Sequence, residues 1–87
     1  MCGLTASGEA YCWGFNRWGQ LGDGTTTDSI SVPVLVSGGH TWASVTAASE
    51  GYSCGVTTTG KAYCWGNNYY LQLGDGTSTH RSVPVLV

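Results

Sequence analysis

The sequence predicts an all-β protein built from two side-by-side copies of one small antiparallel sheet. Three observations predict it. The stretch CWGFNRWGQLGDGT at residues 12–25 returns as CWGNNYYLQLGDGT at residues 64–77, with 10 of 14 positions identical. Brief β-type runs rich in Val, Tyr, Trp and Thr are punctuated by Gly, Asn and Asp. No segment keeps a 3.6-residue apolar period, so no long helix is expected.

The duplication extends beyond that stretch. Cys2, Cys12, Trp13, Gly14, Asn16, Gln20, Leu21, Gly22, Asp23, Gly24 and Thr25 recur as Cys54, Cys64, Trp65, Gly66, Asn68, Gln72, Leu73, Gly74, Asp75, Gly76 and Thr77, each shifted by 52. The run SVPVLV at 31–36 returns at 82–87, shifted by 51. Residues 1–36 therefore make a partial first repeat and residues 37–87 the second, together one unit. The segment SGGHTWASVTAASEGYS at 37–53 occurs once. The first copy lacks a counterpart to it, so the chain reads as a fragment, or as a unit that completes a ring by association.

Taken in order, the first element is a hairpin. ASG (6–8) and TTG (58–60) fit three-residue loops that end in a left-handed Gly. Counting outward pairs Thr5 with Glu9, Leu4 with Ala10, Gly3 with Tyr11, and Cys2 with Cys12. The same count pairs Cys54 with Cys64. Next, WASVTAAS (42–49) reads as a strand unique to the second copy. YSCGVT (52–57) and KAYCWG (61–66) form its hairpin, and VPVLV (83–87) is a short closing strand.

Cysteines directly opposite each other at a non-hydrogen-bonded pair approach to about 4.5 Å between Cα atoms. A disulfide can span that distance. Cys2–Cys12 and Cys54–Cys64 are therefore expected to be disulfides, against the alternatives of buried thiols or zinc. Zinc pairs usually sit two to four residues apart, whereas nine residues separate these. Disulfides would place the protein in an oxidising compartment, extracellular or at the cell surface.

Charge excludes other roles. Charged residues make up 9% of the 87 positions and the net charge is −2. Three Lys and Arg side chains cannot build a stripe that tracks phosphates, so no nucleic-acid partner is expected. No apolar run reaches the length of about 20 residues that spans a membrane, and no N-terminal signal pattern is present. Membrane insertion is not expected.

A repeat of this length with several short strands suggests blades of a β-propeller. The residues carry a closer likeness. GYSCGVTTTGKAYCWGNN, followed by QLGDGT and VPVLV, resembles the regulator of chromosome condensation repeat. The likeness covers essentially the whole chain. It implies about two antiparallel blades of a propeller, usually seven-bladed, whose members mostly bind other proteins. The cysteine-bearing version resembles bacterial secreted or surface members. Three positions depart from the pattern: Leu71 stands where Gly19 does in the first copy, Ser49 where Gly is usual, and Tyr52 where His is frequent.

The repeated residues are expected to be structural. Trp13 and Trp65 should fill the space between blades, and Asn16 and Asn68 should tie down the following turn. Such repeats bury a common core that one unit cannot bury alone. DGTTTD (23–28) reads as a turn rather than a calcium loop, since its second copy ends in His80 and offers too few oxygens. His40 and His80 lack partners at metal-ligand spacing, so no metal and no cofactor are expected. Glu9, Asp23, Asp28, Glu50 and Asp75 suggest no shared cleft, and no serine sits in a nucleophile elbow. No catalytic residue is identified and enzyme activity is not expected.

What varies between the copies is FNRW (15–18) against NNYY (67–70). Loops on a rigid scaffold commonly carry binding, and Trp, Tyr and Arg dominate interface energetics. Arg17, Trp18, Tyr69 and Tyr70 are the candidate contact residues. The expected function is a non-catalytic module that binds a protein through blade-edge loops. Two alternatives stand beside it. One is a purely structural unit whose partners are other blades, in the same or a longer chain. The other is carbohydrate binding through Trp18, Tyr69 and Tyr70.

Overall fold

In a computed structural model, residues 1–47, 51–68 and 80–87 are described. Among them the chain forms seven strands and no helix: β1 (Cys2–Leu4), β2 (Ala10–Gly14), β3 (Ser29–Leu35), β4 (Trp42–Ala47), β5 (Tyr52–Thr57), β6 (Ala62–Gly66) and β7 (Arg81–Leu86). They make two antiparallel sheets, ordered β1-β2-β3 and β4-β5-β6-β7. Each is an antiparallel meander, as expected for a propeller blade. The first sheet has no counterpart of β4, the strand that segment 37–53 supplies.

The hairpin register follows the turn. Thr5 N–H donates to Glu9 C=O at 2.9 Å and Gly8 N–H to Thr5 C=O at 3.1 Å, and Thr57, Lys61 and Gly60 repeat the pattern at 2.9 and 3.0 Å. Gly8 and Gly60 adopt φ of 87° and 86°, a conformation open to glycine without steric cost. Cys2 consequently faces Cys12, and Cys54 faces Cys64. Trp13 N–H also donates to Met1 C=O. Bonded pairs alternate along an antiparallel ladder, so both cysteine pairs fall at non-bonded positions where side chains lie closest.

Strand β7 begins at Arg81, two residues before the run of branched residues. A bulge after Cys64 lets Gly66 pair with Arg81 and lengthens the ladder. Pro33 and Pro84 lie in β3 and β7, the outer strands of their sheets, where a missing N–H is tolerated. Strand β4 ends at Ala47; the rest of the expected run, Ala48 and Ser49, lies outside the described residues.

The two sheets share one core. Ala10, Cys12, Leu21, Val36, Trp42 and Trp65 form a single buried cluster. It takes residues from β2, β4 and β6 and from the segments after β2 and β3. Polar bonds cross the same seam: Trp42 N–H donates to Gly8 C=O, and Gly24 N–H to Ser82 C=O, both at 2.8 Å. An aromatic chain runs outward from it. Trp65 meets Trp42 at 5.5 Å between ring centroids, Trp42 meets Tyr63 at 5.8 Å, and Tyr63 meets His40 at 4.3 Å.

Candidate functional site

The loop that leaves β2 is fixed from within by Asn16, which is wholly buried. Its amide nitrogen donates to the carbonyls of Thr25 (2.9 Å) and Thr27 (3.0 Å), and its Oδ1 accepts from Leu21 N–H (2.9 Å). Its own backbone N–H donates to Asp28 Oδ1 at 2.7 Å. Asp23 Oδ1 accepts from the backbone and hydroxyl of Thr25 at 3.0 and 2.8 Å. One buried asparagine, through its side chain and its backbone together, thus closes the whole loop from residue 16 to residue 28. Among the described residues no group of three or more His, Cys, Asp or Glu could hold a metal ion.

In the second blade Asn68 is equally buried, and its backbone N–H donates to His80 Nδ1 at 2.9 Å. His80 occupies the position of Asp28. An unprotonated imidazole nitrogen replaces a carboxylate oxygen as the acceptor, so the exchange preserves the bond while removing a charge.

The segment Gly19–Gly22 forms the seam between blades. Trp65 is fully buried, and its Nε1–H donates to Gln20 C=O at 2.9 Å. Ser53 Oγ donates to the same carbonyl at 2.9 Å. A Cβ on Gly22 would fall 2.7 Å from Trp65 Nε1, and one on Gly19 would fall 2.6 Å from Ser82 Cα. The two glycines therefore set how closely the blades approach. Gly19 has φ of 84°; its counterpart Leu71 lies outside the described residues.

Trp13 sits differently from its counterpart Trp65. It is half-buried and lines a shallow cavity of about 410 Å³ with Gly3, Leu4, Thr5, Tyr11 and Pro33. Tyr11 and Trp13 alternate along β2 with the core residues Ala10 and Cys12, so they belong to the face of the first sheet turned away from the shared core. Among the described residues, Trp65 has a neighbouring blade against it and Trp13 does not.

Of the four candidate contact residues, the structure describes two. Trp18 is half-buried. Its backbone N–H donates to Gln20 Oε1 at 2.9 Å. Its ring lies over Gly51, where a Cβ would fall 2.6 Å from Cδ1, and 4.7 Å from the His80 ring. Trp18 thus joins its loop to the second blade. Arg17 is exposed, with its guanidinium carbon 5.0 Å from the Trp18 ring centroid, within cation–π range. Tyr69 and Tyr70 lie outside the described residues, as do Gln72–Thr77, Ser49 and Glu50. Sequence reasoning did not single out Phe15, which is 72% exposed two residues before Arg17 in the chain. The signal was its replacement by Asn67 in the second copy.

Both cysteine pairs stand at disulfide distance, with sulfurs 1.99 Å apart for Cys2 and Cys12 and 2.07 Å for Cys54 and Cys64.

The regulator of chromosome condensation (RCC1) repeat matches residues 7–57 and 59–87 of the chain. The chain belongs to this repeat family. A second description of the same repeat matches residues 44–72. Human E3 ubiquitin-protein ligase HERC2 is 36% identical over 88 residues, which cover 97% of this chain and 2% of that protein. The ultraviolet-B receptor UVR8 of Arabidopsis thaliana is 37% identical over 81 residues, 93% of this chain and 18% of its own length. The crystal structure of human WBSCR16 superposes with a TM-score of 0.85 and 32% identity, covering 99% of this chain and 22% of that one. The chain therefore spans a small part of each relative. What it shares with them is the RCC1 repeat, so it is a propeller repeat module, and the buried Trp65–Gln20 seam is where two such repeats join.

Proposed function

We propose that this chain is a non-catalytic module that binds another protein through the loops at the ends of β2 and β6, with Arg17, Trp18, Tyr69 and Tyr70 at the contact. The observation that carries this reading is the Arg17–Trp18 pair, in the same loop as the exposed Phe15. Trp18 is held by the second blade, so Arg17 and Phe15 are presented on a braced support, and pre-organised side chains bind at lower entropic cost. Aromatic and Arg groups of this kind anchor protein interfaces.

The test uses the purified chain as bait on extracts of its source, with crosslinking and mass spectrometry. A specific partner should be captured by the wild type and lost with Phe15→Ala and Arg17→Ala. Equal capture by both variants and the wild type would refute the proposed face. A glycan array run in parallel separates the sugar reading, which requires binding that disappears with Tyr70→Ala.

A second reading, a structural unit that abuts further blades, is favoured by Trp13. Its open flank repeats the surface that Trp65 buries against Gly19–Gly22. Light scattering tests it for the isolated chain: a ring of several copies supports it, and a cooperative monomer at high concentration argues against self-association.

The cysteine spacing supports an oxidising compartment, outside the cell or at its surface. Intact-mass measurement with and without reductant should count two disulfides; free thiols on the natively produced protein would remove this assignment.

A further inference from the structure

We propose that the cup between residues 39–41 and the β5–β6 hairpin binds a carboxylate, supplied by an acidic side chain of a protein partner. The cup holds about 280 Å³ and is lined by Lys61, His40, Tyr63 and the hydroxyl-bearing Thr57, Thr58 and Thr59. Among the described residues, no carboxylate lines it. Its aromatic wall is rigid, because His40 rests on Tyr63 and on Trp42, at 4.3 and 5.2 Å between ring centroids, and Trp42 is core.

The first blade shows what such a frame does with a carboxylate. There Glu9 N–H donates to Thr5 Oγ1 (3.1 Å), Thr5 and Ser7 hydroxyls meet at 3.1 Å, and Ser7 Oγ donates to Glu9 Oε1 at 3.4 Å. The second blade keeps the frame. Lys61 N–H donates to Thr57 Oγ1 (3.2 Å), and Thr57 and Thr59 hydroxyls meet at 2.9 Å. The residue at the position of Glu9 is now Lys61. The internal carboxylate is gone and an ammonium stands in its place. Either hydroxyl can donate in that pair, and the one that accepts keeps its own proton to serve an acceptor from outside. A cation beside a hydroxyl donor suits a carboxylate oxygen. The volume suits one side chain rather than a polymer.

This cup lies at the opposite end of the strands from Arg17. Strand β2 begins at its hairpin and ends before the loop that carries Arg17, and the second blade follows the same path. The inference rests on the protein-binding reading only for the source of the carboxylate.

The test is an NMR titration of the ¹⁵N-labelled chain with the peptide acetyl-Gly-Glu-Glu-Gly-amide at matched ionic strength. Its Gln-for-Glu analogue and free glucuronate serve as comparison ligands. The expected result is amide shifts confined to residues 39–41 and 57–63 with the glutamyl peptide and none with the Gln peptide. Lys61→Gln should weaken binding about two- to fivefold, the worth of one exposed ion pair. Lys61→Glu, which copies the first blade, should abolish it. No shifts in this set at the highest peptide concentration overturn the proposal. So does equal binding of the Gln peptide, an unchanged Lys61→Gln titration, or binding of glucuronate alone. Failure here leaves the Arg17 face intact, because capture by Phe15→Ala and Arg17→Ala variants reads the other end of the molecule.

Discussion

Gly22→Ala tests whether the seam between blades governs stability. The new methyl would lie 2.7 Å from Trp65 Nε1, 3.0 Å from Cδ1 and 3.1 Å from Cε2, at a residue with φ of +74°. Two costs follow. A side chain in the left-handed region costs about 1–2 kcal/mol. Forcing a methyl into a filled contact costs about 1–3 kcal/mol more, and it pushes the indole away from Gln20 C=O. Gly60→Ala separates the two terms. Gly60 has φ of +86°, yet nothing lies within 4 Å of its added Cβ. That variant should lose only the backbone term. Urea unfolding, followed by tryptophan fluorescence and far-ultraviolet circular dichroism, reads the difference. We expect Gly22→Ala to unfold at least about 1 kcal/mol more easily than Gly60→Ala, a gap of about 4–8 °C in Tm for a domain of this size. The slope m should be unchanged. Trp65 emission should shift to the red in the folded Gly22→Ala protein and stay in place in Gly60→Ala. Equal stability of the two variants would refute the seam argument.

Two further outcomes follow from buried polar and covalent links. Asn16→Ala removes the partners of Leu21 N–H and of the Thr25 and Thr27 carbonyls; orphaned groups cost about 1–3 kcal/mol each where water cannot reach them. Asn16→Asp should be no milder in the same urea assay, since a carboxylate cannot donate to the two carbonyls. Each cysteine pair closes a loop with a sequence separation of 10, worth about 2.7 kcal/mol by loop entropy. Replacing either pair by alanines should therefore lower the unfolding free energy by a similar amount, and reductant should then act only on the pair that remains.

The hairpin registers were legible in the sequence because they are local. A three-residue loop ending in Gly fixes the pairing of the residues beside it, so Cys2 opposite Cys12 could be counted out. The all-β class was legible because the duplication and short turn-bounded runs repeat the same local preferences. The start of β7 was not, since the bulge that pairs Gly66 with Arg81 depends on how two distant strands meet. Nor could Trp13 and Trp65 be told apart by sequence. They occupy the same place in the repeat, and only the presence of a neighbouring blade makes one buried and leaves the other on a flank. Phe15 and Trp18 show the same division: both belong to a variable loop, yet one faces water and the other braces against Gly51 and His80.

By itself, then, the order of residues determined the strands, their turns and the family of repeat, because these depend on backbone preferences acting over a few positions. Assembly in three dimensions decided which glycines are seams, which aromatics are core, and that Lys61 completes a cup with hydroxyls and His40. Those outcomes depend on atoms brought within a few ångströms from remote parts of the chain, and burial of shared apolar surface is what brings them there.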